Sequence, residues 1–300
     1  MVLPHDRSEL PVSSRSPAVN AELALLLEVA GTPKPGNVDR HRDLSDLRFE
    51  HFLAGAVGAR VGLERAARGD GVGEAFERAV EGMAEQRGGN TQFGCLLLLV
   101  PLVATTQVES NLDRQSARST VEATTVEDAA GFYRSFEHVD VFVDEPPDEL
   151  EALDVRRGAN AIPTLEERGV TLYDVMDASV PGDDVAREWV TGFERSFAAA
   201  DRLAAMDQAR PATDRVASVF LSLLAARPDT LVEKRHDEAV ATEVTERAAD
   251  LVEEGGLEAV PDRVDAFADD LVERGINPGT TADITAAGLF IALERGEFDL

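Results

Sequence analysis

Most of the chain consists of apolar segments with helical spacing, separated by short breaks that contain Gly or Pro. In the segment from Phe49 to Arg68, for example, Phe52, Ala56, Ala59 and Leu63 fall on one face of a helix. No stretch alternates apolar and polar residues as a half-buried strand does, and we find no heptads and no longer repeat. The sequence therefore predicts an all-α, bundle-like domain with functional loops at one end.

The apolar spacing also predicts where the larger elements begin and end. Residues 1–15 are polar and carry Pro and Ser, so we expect a flexible N-terminal arm before a single domain over 16–300. Pro101 is expected to kink or shorten the helix that starts near Gln92. Val139 to Val143 reads as a short extended segment. Long helices are predicted over Asp183–Met206, Leu231–Glu254 and Leu257–Arg274.

The charge of the chain limits its partners and its surroundings. There are 57 acidic against 29 basic residues, which gives a net charge of −28. The acids are spread along the chain, and Lys34 and Lys234 are its only lysines. Repulsion of this size is screened at molar salt, so we interpret the protein as halophilic. Binding to nucleic acid is disfavoured, because no basic face is present to neutralise phosphates.

The sequence has no features of a secreted or membrane-spanning protein. The one cysteine, Cys95, lies in an apolar run and excludes an intrachain disulfide framework. The first twenty residues lack the apolar core of a secretory signal. The longest apolar runs are far shorter than the roughly 20 residues that a membrane span needs. We expect a cytoplasmic protein without a membrane partner, while a homo-oligomer stays possible.

A stiff loop, Pro33-Lys34-Pro35-Gly36-Asn37-Val38-Asp39, follows the first apolar helix. Its prolines fix φ and push the residues before them into extended conformations. Gly36 permits a turn that other residues adopt with difficulty. A chain that otherwise uses arginine for positive charge thus keeps Lys34 in its most rigid loop, which suggests a preorganised phosphate contact.

Three later loops share this design of Gly or Pro beside polar and charged groups. In Arg87–Thr91 two glycines precede a polar cap and an apolar helix, which suits an anion site at a helix N-terminus. A simple helix–helix turn explains the same spacing equally well. The segments Asp229–Asp237 and Asn277–Asp283 are the other two loops.

Together the four loops contain what a nucleoside triphosphate and Mg²⁺ require. Cations suited to phosphate are Lys34, Arg87 and Arg235, and backbone amides of Gly88, Gly89, Asn90 and Thr91 would form a nest. Carboxylates suited to Mg²⁺ are Asp39, Asp43, Asp46 and Asp283. Most acids of so acidic a chain only solvate its surface. Asp39 and Asp283 are the stronger candidates, because both lie in Gly/Pro loops with low local charge.

The four segments, in order and spacing, resemble motifs of the triphosphoribosyl-dephospho-CoA synthases. Pro33–Asp39 is similar to their PKPGLVD segment, and Gly88–Thr91 to their GGVNTH loop. Asp229-Thr230 with Arg235 is similar to their DT…RG segment, and Asn277–Asp283 to SPGGSADLLA. The resemblance extends from about residue 20 to about residue 295. Each motif alone is weak, but four in order are specific.

The resemblance implies an all-α enzyme that acts on ATP. Family members displace adenine from the ribose of ATP with the 2′-hydroxyl of 3′-dephospho-CoA and retain the triphosphate. By matching positions it implies that Asp39 and Asp283 bind metal or perform acid–base work. Contacts to nucleotide or phosphate are implied for Lys34, Gly36, Asn90, Thr91, Arg235, Gly279 and Thr280.

Departures from the motifs leave the acceptor open. The family's GAHxDM segment has no counterpart after Asp39, where the chain reads RHRDLSDL, and Gln92 replaces the histidine of NTH. The same chemistry on a different acceptor is therefore an alternative. Two others are a Mg²⁺-dependent nucleotide glycohydrolase or phosphohydrolase and a non-catalytic nucleotide-binding regulatory protein.

Overall fold

Two helices that are apolar on every side form the centre of the protein. The computed structural model describes residues 15–108, 112–143 and 148–300. Within these ranges α4 (Phe93–Val108) and α16 (Gly279–Glu294) pack against each other, and most of their side chains are buried. A helix without a polar face is stable only when other elements surround it. These two helices therefore require a shell of further helices.

The shell covers the two central helices from all sides. Helix α16 is covered by α1 (Pro17–Ala30), α10 (Glu194–Ala205) and α11 (Ala212–Ala226). Helix α4 is covered by α2 (Phe49–Ala66), α3 (Val72–Met83), α5 (Arg114–Glu122) and α9 (Asp184–Thr191). The outer elements are α6 (Val126–Ser135), α7 (Ile162–Arg168), α8 (Leu172–Ser179), α12 (Thr230–Arg235), α13 (Glu238–Glu253), α14 (Gly256–Ala259), α15 (Pro261–Glu273) and the 3₁₀ segments Asp148–Leu153, Val155–Ala161 and Val180–Gly182. The prediction of an all-α single domain is confirmed.

The first described helix begins at a helix cap. The Ser16 hydroxyl accepts a hydrogen bond from the Val19 N–H at 3.4 Å, and Pro17 occupies the first turn of α1. The predicted arm falls almost entirely on residues 1–14, which lie outside the described residues. No helix in the described part of the chain is both long and apolar enough to cross a membrane.

The long helix predicted over Asp183–Met206 is wrong. The chain breaks between α9 and α10, where Gly192 and Phe193 both have positive φ, 69° and 57°. Buried Glu188 stabilises the break, because its carboxylate accepts hydrogen bonds from the N–H groups of Arg195 and Ser196 at the start of α10. The apolar spacing continues through the break, so the sequence pattern did not reveal it.

Two further predicted helices are also interrupted. Leu231–Glu254 is split into α12 and α13, because Asp237 caps α13 by accepting from the Val240 N–H at 2.8 Å. Leu257–Arg274 is split before Pro261, where α15 starts. Described residues 139–143 are irregular and pair with no strand. The first split matters for the site, since it leaves α12 as a short helix that ends in two cations.

Pro101 does not shorten α4, which continues to Val108. A proline lacks an N–H, so the carbonyl of Leu97, one turn earlier, has no helical donor. The indole N–H of Trp189, a fully buried side chain of α9, donates to this carbonyl at 3.1 Å. A helix of the shell thus completes the hydrogen bonding of a central helix.

This hydrogen bond predicts that Trp189→Phe lowers the free energy of unfolding more in the wild-type protein than in a protein that already carries Pro101→Ala. Phenylalanine leaves the buried Leu97 carbonyl without a donor, which costs about 1–3 kcal/mol, whereas the alanine of Pro101→Ala supplies a backbone N–H. Urea unfolding of the two single variants and the double variant measures the coupling, expected at about 1 kcal/mol. Additive losses would contradict this account of Trp189.

Candidate active site

A cavity of about 570 Å³ lies where α4, α6, α8, α9, α12 and α16 meet. One wall is polar and consists of residues near the N-termini of α9 and α16 together with residues of α12. The side chains that give it this character are Asp183, Thr230, Lys234, Arg235, Thr280 and Asp283. The second wall is mostly apolar and comes from α4, α6, α8 and the segments around residues 141–143 and 153–155. The cavity is therefore suited to a ligand with one charged part and one apolar part.

The buried carboxylate of Asp229 holds two helix starts of the polar wall together. It accepts from the N–H groups of Leu231 and Val232 in α12, at 2.9 and 3.2 Å. It also accepts from the N–H and the hydroxyl of Thr281 in α16, both at 2.7 Å. The hydroxyls of Thr230 and Thr280 lie 3.2 Å apart on the cavity side. Asp229 therefore fixes the starts of α12 and α16 against each other in the polar wall.

Asp283, one turn into α16, lies where the two walls join. Its Oδ1 accepts from the Cys95 thiol at 3.1 Å. Its Oδ2 packs against α4 at Gly94, where a Cβ atom would lie 2.1 Å away, so only glycine fits there. Burial raises the pKa of Asp283 to about 8, and the negative charges of Asp229, Glu28 and Asp183 act in the same direction. At neutral pH this group is a carboxylic acid that lines the cavity and can donate a proton.

Lys234 and Arg235 place two cations in the same polar wall. The Lys234 ammonium donates to Asp183 Oδ2 at 3.1 Å, and Asp183 also caps α9. The Arg235 guanidinium lies over the Phe142 ring, 5.1 Å from its centroid, and so connects the two walls. Arg235 was a predicted phosphate ligand, whereas Lys234 was missed. Its proximity to Arg235 and the rarity of lysine were the available signals, but the break after α12 was not apparent.

Lys34 does not line the cavity. Its side chain is completely buried, forms an ion pair with buried Glu28, and lies 5.8 Å from the centroid of the Phe220 ring. Burial raises the pKa of Glu28, which the charge of Lys34 opposes. The charges of Glu28 and Lys34 also act on Cys95, so the pair lies behind the Cys95–Asp283 hydrogen bond. Lys34, which was predicted to bind phosphate, is therefore engaged in a buried ion pair with Glu28.

Asp39 organises the stiff loop instead of facing the cavity. Its Oδ2 accepts from the Thr32 hydroxyl, the Lys34 N–H and the Arg42 guanidinium at 3.0–3.1 Å. Its Oδ1 accepts from the His41 N–H at 2.8 Å. A fully buried carboxylate with four donors is held in place by its surroundings. The structure thus separates Asp39 from Asp283, the other predicted catalytic residue.

Gly36 and Gly279 position loops. Gly36 has a φ of 73°, and a Cβ atom there would lie 2.2 Å from the carbonyl oxygen of Ile276. The Asn37 amide donates to Asn277 Oδ1 at 2.9 Å, so the first loop packs directly on the last one. Gly279 lies against the Leu231 side chain. The predicted meeting of the loops is thus observed for this pair.

Of the predicted Gly-rich loop, only Asn90 lines the cavity. Its Oδ1 accepts from the Phe93 N–H at 3.2 Å at the start of α4. Arg87 is exposed outside the cavity lining, and Gly88 and Gly89 are also absent from that lining. The Thr91 hydroxyl and the neighbouring Gln92 amide are buried without a hydrogen-bond partner in the described structure. The loop therefore contributes the Asn90 residue to this cavity lining, and not the predicted nest of backbone N–H groups.

The four acids predicted to bind Mg²⁺ do not form one ligand set. Asp43 accepts from the Phe49 N–H at 2.8 Å at the start of α2, and Asp46 is exposed. Asp39 is held by four donors, and Asp283 lies across the core beside Cys95. Among the described residues, no three His, Cys, Asp or Glu side chains are placed to hold a metal ion. These carboxylates therefore do not fit a resident magnesium site.

The chain is similar to a known protein family and to solved structures. The CitG family model, described as ATP:dephospho-CoA triphosphoribosyl transferase, matches residues 14–299. A crystal structure from Archaeoglobus fulgidus, provisionally assigned as a triphosphoribosyl-dephospho-CoA synthase, is 27% identical and superposes with a TM-score of 0.63. That match covers 81% of this chain and 99% of the other. No curated protein matches significantly.

The buried acid predicts that Asp283→Asn stabilises the protein at alkaline pH. Folded Asp283 keeps its proton to about pH 8, while the unfolded carboxyl loses it near its ordinary value of 3.8. Wild type therefore loses stability from this group as pH rises through that window, by up to about 1.4 kcal/mol per pH unit. Urea unfolding from pH 4 to 9 should show an advantage of the variant that grows with pH and levels off above 8. An advantage independent of pH would contradict the raised pKa.

Cys95 variants should move the pKa of Asp283 in opposite directions. The thiol hydrogen bond favours the carboxylate, so Cys95→Ala should raise that pKa further, by about half a unit to one unit. Cys95→Ser, with a stronger donor, should lower it. Carboxyl ¹³C NMR titration measures both shifts. Equal shifts of one sign would show that the thiol does not set this pKa.

Proposed function

The chain belongs to the ATP:dephospho-CoA triphosphoribosyl transferase family, and we propose that the cavity described above is where it releases adenine from ATP. The chain is a transferase by its family. The observation that carries the assignment of the cavity is Asp283, a proton-bearing carboxyl that faces a space also lined by two cations. Bond cleavage between ribose and adenine needs a proton on the leaving base, and such an acid supplies it.

The polar wall fits the triphosphate. Lys234 and Arg235 provide positive charge, and the hydroxyls of Thr230 and Thr280 lie at the starts of α12 and α16 on the cavity side. Cations and hydroxyl donors both stabilise phosphate oxygens. The triphosphate stays attached to the ribose during the transfer, so this wall holds the group that is moved.

Asp283 acts at the other side of the ribose. Its proton moves to a ring nitrogen of adenine as the bond between C1′ and the base breaks, while the acceptor hydroxyl forms a new bond to C1′. The net reaction transfers one proton from the acceptor hydroxyl to adenine and consumes no water. Acid catalysis of this kind contributes about 10²–10⁴-fold to a rate. Asp39, which was predicted to share this work, is assigned instead to holding the loop beneath the site.

The requirement for Mg²⁺ stays a prediction, and we expect the ion to enter the site bound to ATP. We derive no step through the ion, because Asp39, Asp43, Asp46 and Asp283 do not come together as ligands. An Mg²⁺ that enters with ATP would rest on the oxygens of the triphosphate. That the protein is adapted to high salt also stays a prediction. Its net charge of −28 makes molar KCl the appropriate assay medium.

The assay for this proposal measures adenine from ATP and Mg²⁺ in molar KCl, with and without dephospho-CoA. Adenine should appear only with dephospho-CoA, and Asp283→Asn should reduce kcat by at least about 100-fold. The exposed acid Asp46 provides the matched control, since Asp46→Asn should stay within about twofold of wild type.

Other products would identify the alternatives. Adenine formed without the acceptor indicates a glycohydrolase, and ADP or phosphate indicates a phosphohydrolase. ATP binding with no product indicates either a regulatory protein or a transferase that uses a different acceptor. Unchanged turnover in Asp283→Asn would overturn the role of this residue.

A further inference from the structure

The apolar wall of the cavity is an aromatic surface that the phosphate chemistry does not use. Three rings form it: Phe93 of α4, Phe132 of α6, and Phe136 directly after α6. They pack edge to face or tilted, with centroids 5.2–6.3 Å apart. All three line the cavity, and Val175 of α8 joins them. Such a wall contacts the face or edge of a flat ring well and solvates a charge poorly.

Two acids of this wall are already engaged. Asp174 accepts from the N–H and hydroxyl of Thr171 at the start of α8, and Asp154 pairs with Arg156. The Tyr133 hydroxyl donates to the Leu153 carbonyl at 2.5 Å. Asp174 is thus held at the start of α8 and Asp154 is paired with a cation, while the Phe93, Phe132, Phe136 and Val175 part of the wall suits an uncharged, apolar part of a ligand.

Asp283 fixes which part of the nucleotide reaches this wall. The carboxyl packs against Gly94, next to Phe93 and one turn before Leu97, and all four residues line the cavity. The cations of α12 line the polar wall, where Arg235 lies over Phe142, a ring outside this aromatic group. A nucleotide whose triphosphate meets that wall and whose glycosidic bond meets Asp283 therefore extends its base over the rings of Phe93, Phe132 and Phe136.

We propose that the surface of Phe93, Phe132, Phe136 and Val175 is the subsite for the purine base of the nucleotide. This inference rests on the proposed function, since Asp283 must face the leaving base. Asn90 lines the same cavity and uses its Oδ1 for the Phe93 N–H, so its amide NH₂ can donate to a ring nitrogen of the base. Stacking on aromatic side chains grows with the contact area of the base, so these rings favour a purine over a pyrimidine.

The test measures binding by titration calorimetry in molar KCl, with ATP, CTP, inorganic triphosphate and dephospho-CoA as separate ligands. Val175→Trp fills the subsite and should weaken ATP binding about tenfold or more, while triphosphate stays within about twofold. Wild type should bind ATP about fivefold or more tightly than CTP. The control is Val61→Trp on the outer face of α2, where the side chain is already 42% exposed. If Val175→Trp does not fold, Phe136→Leu, which removes a ring without adding volume, should weaken ATP binding at least about threefold.

The outcomes separate this inference from the proposed function. Unchanged ATP affinity with weakened dephospho-CoA binding in Val175→Trp would place the acceptor on this wall and overturn the base subsite alone. Equal losses of ATP and triphosphate binding would also overturn it, because the effect would not concern the base. A wild-type protein that binds triphosphate but not ATP, or neither, would overturn the proposed function together with the subsite.

Discussion

The arrangement of the site depends on one buried carboxylate. Asp229 accepts four hydrogen bonds from the starts of α12 and α16, and these bonds fix the relative position of the two helices. The neighbouring hydroxyl of Thr230 accepts from the Asp184 N–H at 3.3 Å and thereby adds the start of α9. Because three helix starts are held this way, the cations of α12 and the acid of α16 face one cavity. Loss of Asp229 would therefore displace the cations of α12 and the carboxyl of Asp283 together.

The buried acids explain how so acidic a chain keeps a proton donor. On the surface, carboxylates are ionised and meet arginine or solvent, but Asp283 lies among Glu28, Asp183 and Asp229 in a poorly solvated region. Burial and like charges both favour its protonated form. One of these acids, Glu28, forms a buried ion pair with Lys34. The raised pKa of Asp283 is therefore obtained at the expense of stability, as is common for groups with strongly shifted pKa values.

The sequence predicted the helical class and most of the loops, and of its two candidate acids Asp283 lines the cavity. Apolar spacing located the central helices, and the Pro/Gly loop before α16 pointed to Asp283. Spacing could not locate the break at Phe193, because a buried glutamate caps α10 there without interrupting the apolar pattern. Residue type also could not distinguish the lysines. Lys34 forms an ion pair with buried Glu28, whereas Lys234 lines the cavity. These two environments depend on how segments distant in the sequence pack together.

The central claim is that Asp283 protonates the leaving base in this cavity. The most direct measurement compares ATP with a ribosyl triphosphate whose leaving group is p-nitrophenolate, which departs without a proton. With dephospho-CoA as acceptor, Asp283→Asn should lose most of its rate on ATP and keep a rate close to wild type on the activated substrate. An equal loss on both substrates would contradict the claim, because Asp283 would then act on something other than the departing base.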